Sequence, residues 1–234
     1  EIAKAPLLRI TVIQTESPGR LDSILVMASH HLVCDQRGLL NGVRDMNTFY
    51  SYYKYGSSFV LPALRMQLAD YAQKEAERGW SPSFEERQYW EGSRQFLRTL
   101  ALPANPCRSH LDPRQGHLES HIFPDEVFTA VRDLARNHQT TVFRTVALAL
   151  YAVLARFSGR STVGIAVTMS HAASREIVRT VGLFTSPVIV GLKLLPDDTF
   201  PTLLASFDET LKCAQAYSQS PLEQVIRKVL GPTE

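Results

Sequence analysis

Residues 29–38 read Ser-His-His-Leu-Val-Cys-Asp-Gln-Arg-Gly and follow the apolar run Ile24–Ala28. Side chains alternate between the two faces of an extended segment, so one of His30 and His31 is expected to face a cleft and the other to pack inward. Asp35 lies far enough beyond His31 for the chain to turn back and for its carboxylate to orient the loop or engage a buried cation. This pattern suits acid–base chemistry with a supporting anion. The same residue types also fit a buried histidine and an ordinary aspartate at a strand end, and the residues alone leave both interpretations open.

The flanking sequence predicts that this stretch joins a β-hairpin to a helix. Two strands rich in Ile, Val and Leu, at Leu7–Gln14 and Ser23–Ser29, are joined by the turn residues Ser17-Pro18-Gly19-Arg20. After Asp35, apolar residues recur at a helical spacing, at Leu39, Val43, Met46, Phe49 and Tyr50. The His-Asp stretch is therefore expected at a strand-to-helix junction, where a helix N-terminus would offer backbone N–H groups to a developing oxyanion.

The rest of the chain alternates predicted helices and strands. Ser83 and Glu86 form a capping-box pattern, and Gly79 is expected to end the preceding helix. Pro103–Gly116 contains three prolines and no periodicity, which predicts a linker. The alternation favours an α/β fold or an α+β sandwich. The predicted helices are Ala63–Arg78, Ser83–Leu97, Pro124–Asn137, Thr141–Phe157, Phe200–Tyr217 and Pro221–Val229, and the further strands are His117–Phe123, Thr162–Thr168 and Pro187–Leu194.

The composition argues against several classes of partner and site. The 25 basic and 23 acidic residues leave a formal charge of +2, too balanced to predict nucleic acid or an anionic membrane as the main partner. Cys34, Cys107 and Cys213 form no Cys-x-x-Cys pair, so neither a disulfide framework nor a metal site is predicted. The longest apolar run, Val146–Ala155, is too short to cross a bilayer, and no signal peptide opens the chain. These features predict a cytoplasmic protein.

Short motifs along the chain occur in the order found in one enzyme family. The motifs are Pro6–Arg9, Ser29–Asp35, Leu68–Ala72, Tyr89–Glu91, Phe157–Arg160, Val163-Gly164, Val181–Phe184 and Pro221–Glu223. Together they resemble the condensation domains of nonribosomal peptide synthetases, relatives of chloramphenicol acetyltransferase that carry the signature H-H-x-x-x-D-G. The resemblance implies the two-lobed chloramphenicol acetyltransferase-like fold, with the start of the first lobe and the end of the second missing. Residues 1–100 would be the later part of the N-terminal lobe, and residues 101–234 the earlier part of the C-terminal lobe.

The resemblance also assigns roles within the His-Asp stretch. His31 matches the family's catalytic histidine, which acts either as a base toward the acceptor amine or as a positioning group. His30 is expected to pack inward and support the loop. Asp35 is expected to pair with an arginine that lies outside this chain.

Two positions depart from the family pattern. Gln36 stands where the family usually has glycine, and Gly38 comes two positions late, so either the loop closes differently or the tunnel between the lobes is narrowed. Ser186 occupies the position of a family asparagine near the tunnel, and Pro187 removes a backbone N–H. That change fits altered substrate handling or simply a strand that begins with proline. Gln36, Gly38 and Ser186 are therefore the candidate substrate-binding residues.

The resemblance implies a condensation-type acyltransferase, which joins a carrier-bound acyl or peptidyl thioester to an aminoacyl acceptor through an amide or ester bond. The substrates would arrive on phosphopantetheine arms of donor and acceptor carrier proteins, with an adenylation domain as neighbour and no permanently bound cofactor. Three alternatives stay open. These are an epimerisation domain, an acyltransferase that uses coenzyme A, and a non-catalytic module that docks a carrier protein or a tailoring enzyme.

Overall fold

The computed structural model describes residues 6–17, 20–97, 100, 102, 118–170 and 175–231. Its strands are β1 (Leu8–Ser17), β2 (Arg20–Ser29), β3 (Thr162–Ser170) and β4 (Thr185–Lys193). Its helices are α1 (Gln36–Tyr55), α2 (Leu68–Arg78), α3 (Phe84–Ser93), α4 (Asp125–Asn137), α5 (Val142–Ser158), α6 (Phe200–Ala216) and α7 (Leu222–Val225). A 3₁₀ turn follows α3 at Arg94–Phe96, and a π-helical turn follows α7 at Ile226–Leu230.

Local signals in the sequence account for several helix boundaries. The Ser83 hydroxyl accepts the N–H of Glu86 at 3.1 Å at the start of α3, as the capping pattern predicts. Gly79 ends α2 with a φ of 60°, a conformation that glycine adopts without a steric cost. α2 begins at Leu68, five residues later than the predicted Ala63.

The predicted β-hairpin is confirmed. β1 and β2 pair antiparallel, from Leu8 opposite Ser29 to Ser17 opposite Arg20. One more backbone hydrogen bond lies beyond the ladder, since the N–H of His30 donates to the carbonyl of Leu7 at 2.8 Å. Pro18 and Gly19 of the predicted turn lie outside the described residues. The hairpin register therefore fixes where the chain leaves β2 and enters the His-Asp stretch.

The strand predicted at His117–Phe123 is wrong over the described residues 118–123. These residues form neither a strand nor a helix, and Leu118 and Ile122 are 85% and 91% exposed. Their alternating pattern would give one apolar face, but a strand also needs a neighbour to pair with. No such neighbour occurs in the part of the chain that the structure describes. The predicted linker, Pro103–Gly116, lies outside the described residues.

Contacts divide the chain into two compact units. The first comprises Glu1–Ser81 and Thr168–Ser186, and the second comprises Pro82–Val167 and Pro187–Glu234. The predicted boundary near residue 100 falls inside the second unit. The assignment of residues 1–100 and 101–234 to two lobes stays a prediction.

Each unit has its own buried side chains. In the first unit, Met66, Ile177 and Phe184 form a core against which Leu68 and Tyr71 pack. In the second unit, Trp90, Tyr151 and Phe207 are almost completely buried, and the Tyr151 hydroxyl donates to the carbonyl of Val190 at 2.5 Å. Burial raises the pKa of the Tyr151 hydroxyl, which therefore stays protonated as a structural donor. No single described helix is both long and apolar enough to cross a membrane, and only α4 and α5 together, bent by 106°, meet that criterion.

We expect Gly191→Ala to destabilise the second unit. A Cβ at Gly191, in β4, would overlap the ring of Phe96. The backbone of Phe96 also lies close to Gly164, in β3. Overpacking of this kind costs about 1–3 kcal/mol. Gly92→Ala is the matched control, because a Cβ there meets no atom and alanine favours the α3 helix by about 0.5–1 kcal/mol. Chemical denaturation of both variants measures the difference, and an unchanged midpoint for Gly191→Ala would contradict the packing of Phe96.

Candidate active site

The two histidines lie where β2 ends and the chain turns, at residues 30–33, which we call the His turn. The N–H of Leu32 donates to Nδ1 of His30 at 3.1 Å, and the N–H of Val33 donates to the His30 carbonyl at 3.1 Å. An Nδ1 that accepts a hydrogen bond carries no proton, so the neutral His30 ring has its proton on Nε2. His30 thus closes the turn with both its side chain and its backbone.

The prediction that His30 packs inward is wrong in the described chain, where both histidines are exposed. The alternation of faces holds only along a strand, and β2 ends at Ser29. The His31 imidazole makes no hydrogen bond to another described residue, which leaves its ring nitrogens available to a ligand. His30 does support the loop, as expected, but through the hydrogen bond that its side chain accepts within the turn.

Asp35 links the His turn to a distant segment of the same unit. Its side chain is 3% exposed, and its two carboxylate oxygens accept different backbone N–H groups. Oδ1 accepts the N–H of Gly38 at 2.8 Å and thereby caps α1, whereas Oδ2 accepts the N–H of Phe184 at 2.9 Å. The Asp35 N–H donates to the Gly182 carbonyl at 3.1 Å. No lysine or arginine among the described residues pairs with Asp35, and the arginine implied by the family resemblance stays a prediction.

The cap also changes the expectation for an oxyanion site. The Asp35 carboxylate already accepts the hydrogen bond of the Gly38 N–H and places a negative charge at the N-terminus of α1. A second anion at that helix end would be repelled. The geometry therefore favours a structural use of this helix end over oxyanion binding.

Gly38 is a packing glycine. A Cβ there would approach the sulfur of Cys34 and the backbone N and O of Gly182, each to 2.9 Å. Gln36, the first residue of α1, is exposed and adopts the helical conformation without needing glycine. The loop therefore closes with Gln36 inside the helix, while close contact falls at Gly38. Whether Gln36 also narrows the approach to His31 stays a prediction.

Cys34 has the properties of a core residue. It is buried, its thiol donates to the Asp35 carbonyl at 3.2 Å, and burial together with the Asp35 charge raises the pKa of the thiol. A protonated thiol is a weak nucleophile.

Ser186 lies at the second position of β4 and is partly exposed. Ser186 comes two residues after Phe184, and the backbone N–H of Phe184 donates to the side chain of Asp35. The backbone before Ser186 is therefore fixed relative to Asp35, just after the His turn. Its role in substrate binding stays a prediction. Among the described residues, no group of three or more His, Cys, Asp or Glu side chains is arranged to hold a metal ion.

Asn41 is a buried residue of this region that no sequence motif indicates. Asn41 is 3% exposed, and its amide donates to carbonyls of residues more than a hundred positions away. The available signal is its place in the interior of a helix, where asparagine is a weak helix former and so indicates a hydrogen-bond partner outside the helix. The identity of that partner cannot be read from α1 alone.

Comparisons with known proteins give the same family as the sequence motifs. The Condensation domain family model matches residues 1–233. Malpinin synthetase of Mortierella alpina is 26% identical over 236 residues, which cover 99% of this chain and 3% of that protein. The chain therefore spans only a small part of that relative's length.

Solved structures share the fold. The first condensation domain of the calcium-dependent antibiotic synthetase superposes with a TM-score of 0.72 at 19% identity, over 95% of this chain and 50% of that one. The four-domain nonribosomal peptide synthetase holo-AB3403 gives a TM-score of 0.82 at 17% identity, over 100% of this chain and 17% of that one. The chain thus spans about half of a solved condensation domain and has the predicted chloramphenicol acetyltransferase-like fold. A match that extends along nearly every residue places the chain in the condensation-domain family.

Proposed function

We propose that this chain is part of a condensation-type acyltransferase that forms an amide, or an ester, between a carrier-bound acyl thioester and an aminoacyl acceptor. The observation that carries the proposal is an exposed His31 in a turn that His30 closes and that the buried Asp35 follows, in a member of the condensation-domain family. The relatives that share this domain include nonribosomal peptide synthetases.

The proposed reaction asks little of the protein beyond alignment and one proton transfer. The acceptor nitrogen attacks the thioester carbon, the C–N bond forms, and the tetrahedral intermediate collapses with loss of the donor thiolate. Alignment of two reactants reaches effective molarities of about 10⁵ M or more, whereas a general base adds about 10²–10⁴-fold. His31 takes the proton from the acceptor nitrogen and transfers it to the departing sulfur, so the donor arm leaves as a free thiol. The exposed ring of His31 supports this role, and the same exposure suits a positioning role.

The partners of this reaction follow from its substrates. Phosphopantetheine arms of donor and acceptor carrier proteins deliver the thioesters, and an adenylation domain loads the acceptor carrier. The protein itself holds no permanent cofactor. The nearly balanced charge supports partners other than nucleic acid or membranes. We place the reaction in the cytoplasm, which the free thiols of Cys34 and Cys213 support.

The test uses the complete condensation domain with two carriers loaded with different aminoacyl groups. Mass spectrometry of the acceptor arm is expected to show the condensed product, and omission of either carrier abolishes it. Inversion of the donor carbon without condensation would assign an epimerisation domain, and transfer from a free coenzyme A thioester would assign a coenzyme A-dependent enzyme. Carrier binding without any product would establish the docking module, the alternative that Gln36 and Ser186 favour as departures from the family pattern.

Gln36→Gly is expected to widen the range of acceptors. Gln36 is exposed at the start of α1, so its side chain restricts only substrates that extend toward it. Rates for a large carrier-bound acceptor should rise while those for a small acceptor change little. Single-turnover rates for the two acceptors provide the measurement. An equal loss for both acceptors would instead show that Gln36 serves the turn itself.

A further inference from the structure

Residues 178–184, which we call the clasped loop, contact one side of α1. The loop leads directly into β4 and so to Ser186. Helix positions 38, 41 and 45 lie along this side, because residues three and four apart share a helix face. Asp35 and Gly38 meet the end of the loop nearest β4, at Gly182 and Phe184. Asn41 and Asp45 meet its beginning.

Asn41 is the buried contact at the beginning of the clasped loop. Its Nδ2 donates to the carbonyl of Val178 at 3.0 Å and to that of Thr180 at 3.5 Å. One amide group therefore bridges two carbonyls of the loop backbone. On another side, the Thr180 hydroxyl donates to the carbonyl of Met66 at 2.6 Å. The loop is thus held by α1 and by the chain just before α2.

The second contact at this end is weaker. Arg179 and Asp45 form an ion pair at 3.2 Å, but both side chains are substantially exposed. Exposed ion pairs contribute little stability, because solvent screens the charges and ordering two long side chains costs entropy. Loss of the Asn41 amide would instead leave the Val178 carbonyl without this donor in a partly buried setting. Asn41 is therefore the main fixed point at the beginning of the loop.

We infer that Asn41 is a positioning residue for the condensation reaction, an inference that rests on the proposed function. α1 begins just after the His turn, and Asp35 fixes one end of the clasped loop to that helix. Asn41 fixes the other end to the same helix. The backbone that leads to Ser186 is thereby held in register with His31. Small displacements matter here, since a distant mutation that misplaces the reacting groups by about 1 Å costs about 10²-fold in rate.

The experiment compares Asn41→Asp with Thr180→Val in the complete domain. Asn41→Asp keeps the shape of the side chain but replaces the donor with an oxygen that repels the Val178 carbonyl. Thr180→Val removes a buried hydrogen bond of the same loop on the side away from α1. We expect both variants to lower the melting temperature, but Asn41→Asp to lower kcat by about tenfold or more with an acceptor KM within about threefold of wild type. Thr180→Val should keep kcat within about threefold.

Amide hydrogen exchange across the clasped loop gives a readout that does not depend on activity. Asn41→Asp should speed exchange there, and the milder Asn41→Ser, which retains a donor, should do so less and provides the test if Asn41→Asp does not fold. Equal kcat values for variants of equal stability would overturn the positioning role, as would unchanged exchange in Asn41→Asp. An inactive wild-type domain would overturn the proposed function and with it a role in this reaction, while the exchange data would still decide whether Asn41 tethers the loop.

Discussion

Replacement of Asp35 by alanine is expected to lower the free energy of unfolding by about 3 kcal/mol, because two backbone N–H groups lose a charged acceptor at once. One is the Gly38 N–H at the start of α1, and the other is the Phe184 N–H. Both lie in buried surroundings, where an unpaired donor is costly. Chemical denaturation of the complete domain measures the loss, and condensation activity should fall with it, since the clasped loop loses its side-chain contact next to the His turn.

Asp35→Asn separates the possible causes of that loss. Asparagine caps helices about as well as aspartate, so the Gly38 contact is retained. Its amide group would face the Phe184 N–H as a second donor, and that contact is lost. We therefore expect roughly half of the alanine effect. An asparagine variant as unstable as the alanine variant would contradict the backbone explanation and indicate that an arginine outside this chain depends on the Asp35 charge.

The parts of the fold that were predicted correctly have local causes. The hairpin follows from strand-forming residues in Leu7–Gln14 and Ser23–Ser29, and α1 follows from the apolar spacing after Asp35. The helix capped by Ser83 depends on a contact with Glu86, three residues away. Each of these features is decided by residues close in sequence, so one stretch of sequence contains the whole cause.

The features that were missed depend on distant residues or on the end of an element. Asn41 and Val178 are 137 positions apart, and no pattern around either residue indicates the other. Asp35 was expected to orient the loop or to engage a cation. A carboxylate is satisfied by backbone N–H groups as well as by a cation, so the residue type alone did not indicate the contacts with Gly38 and Phe184. His30 was expected to face inward because side chains alternate along a strand, but β2 ends one residue earlier, at Ser29. The place of His31 and Asp35 at a strand-to-helix junction was thus predictable, whereas most of the contacts around them were not.

His31→Asn is expected to lower the condensation rate by about tenfold or more, up to about 10⁴-fold if His31 is the general base. The exposed ring of His31 has no partner among the described residues, so the substitution should leave stability almost unchanged. Asparagine is chosen so that the same substitution can be made at His30 as a control. At His30 the Nδ1 atom accepts the Leu32 N–H two residues on, and an asparagine oxygen makes the same bond in an Asx turn.

His30→Asn is therefore the matched control, with the same side-chain change one position away. It should preserve the turn and keep the rate within about threefold of wild type, because it retains the hydrogen bond that His30 contributes. Single-turnover condensation between loaded carriers measures both variants, and thermal melting shows that both are folded. An unchanged rate in His31→Asn would remove His31 from the mechanism. An equal loss in the two variants would mean that the His30 ring takes a direct part in the reaction, since a role confined to the turn predicts that asparagine replaces it.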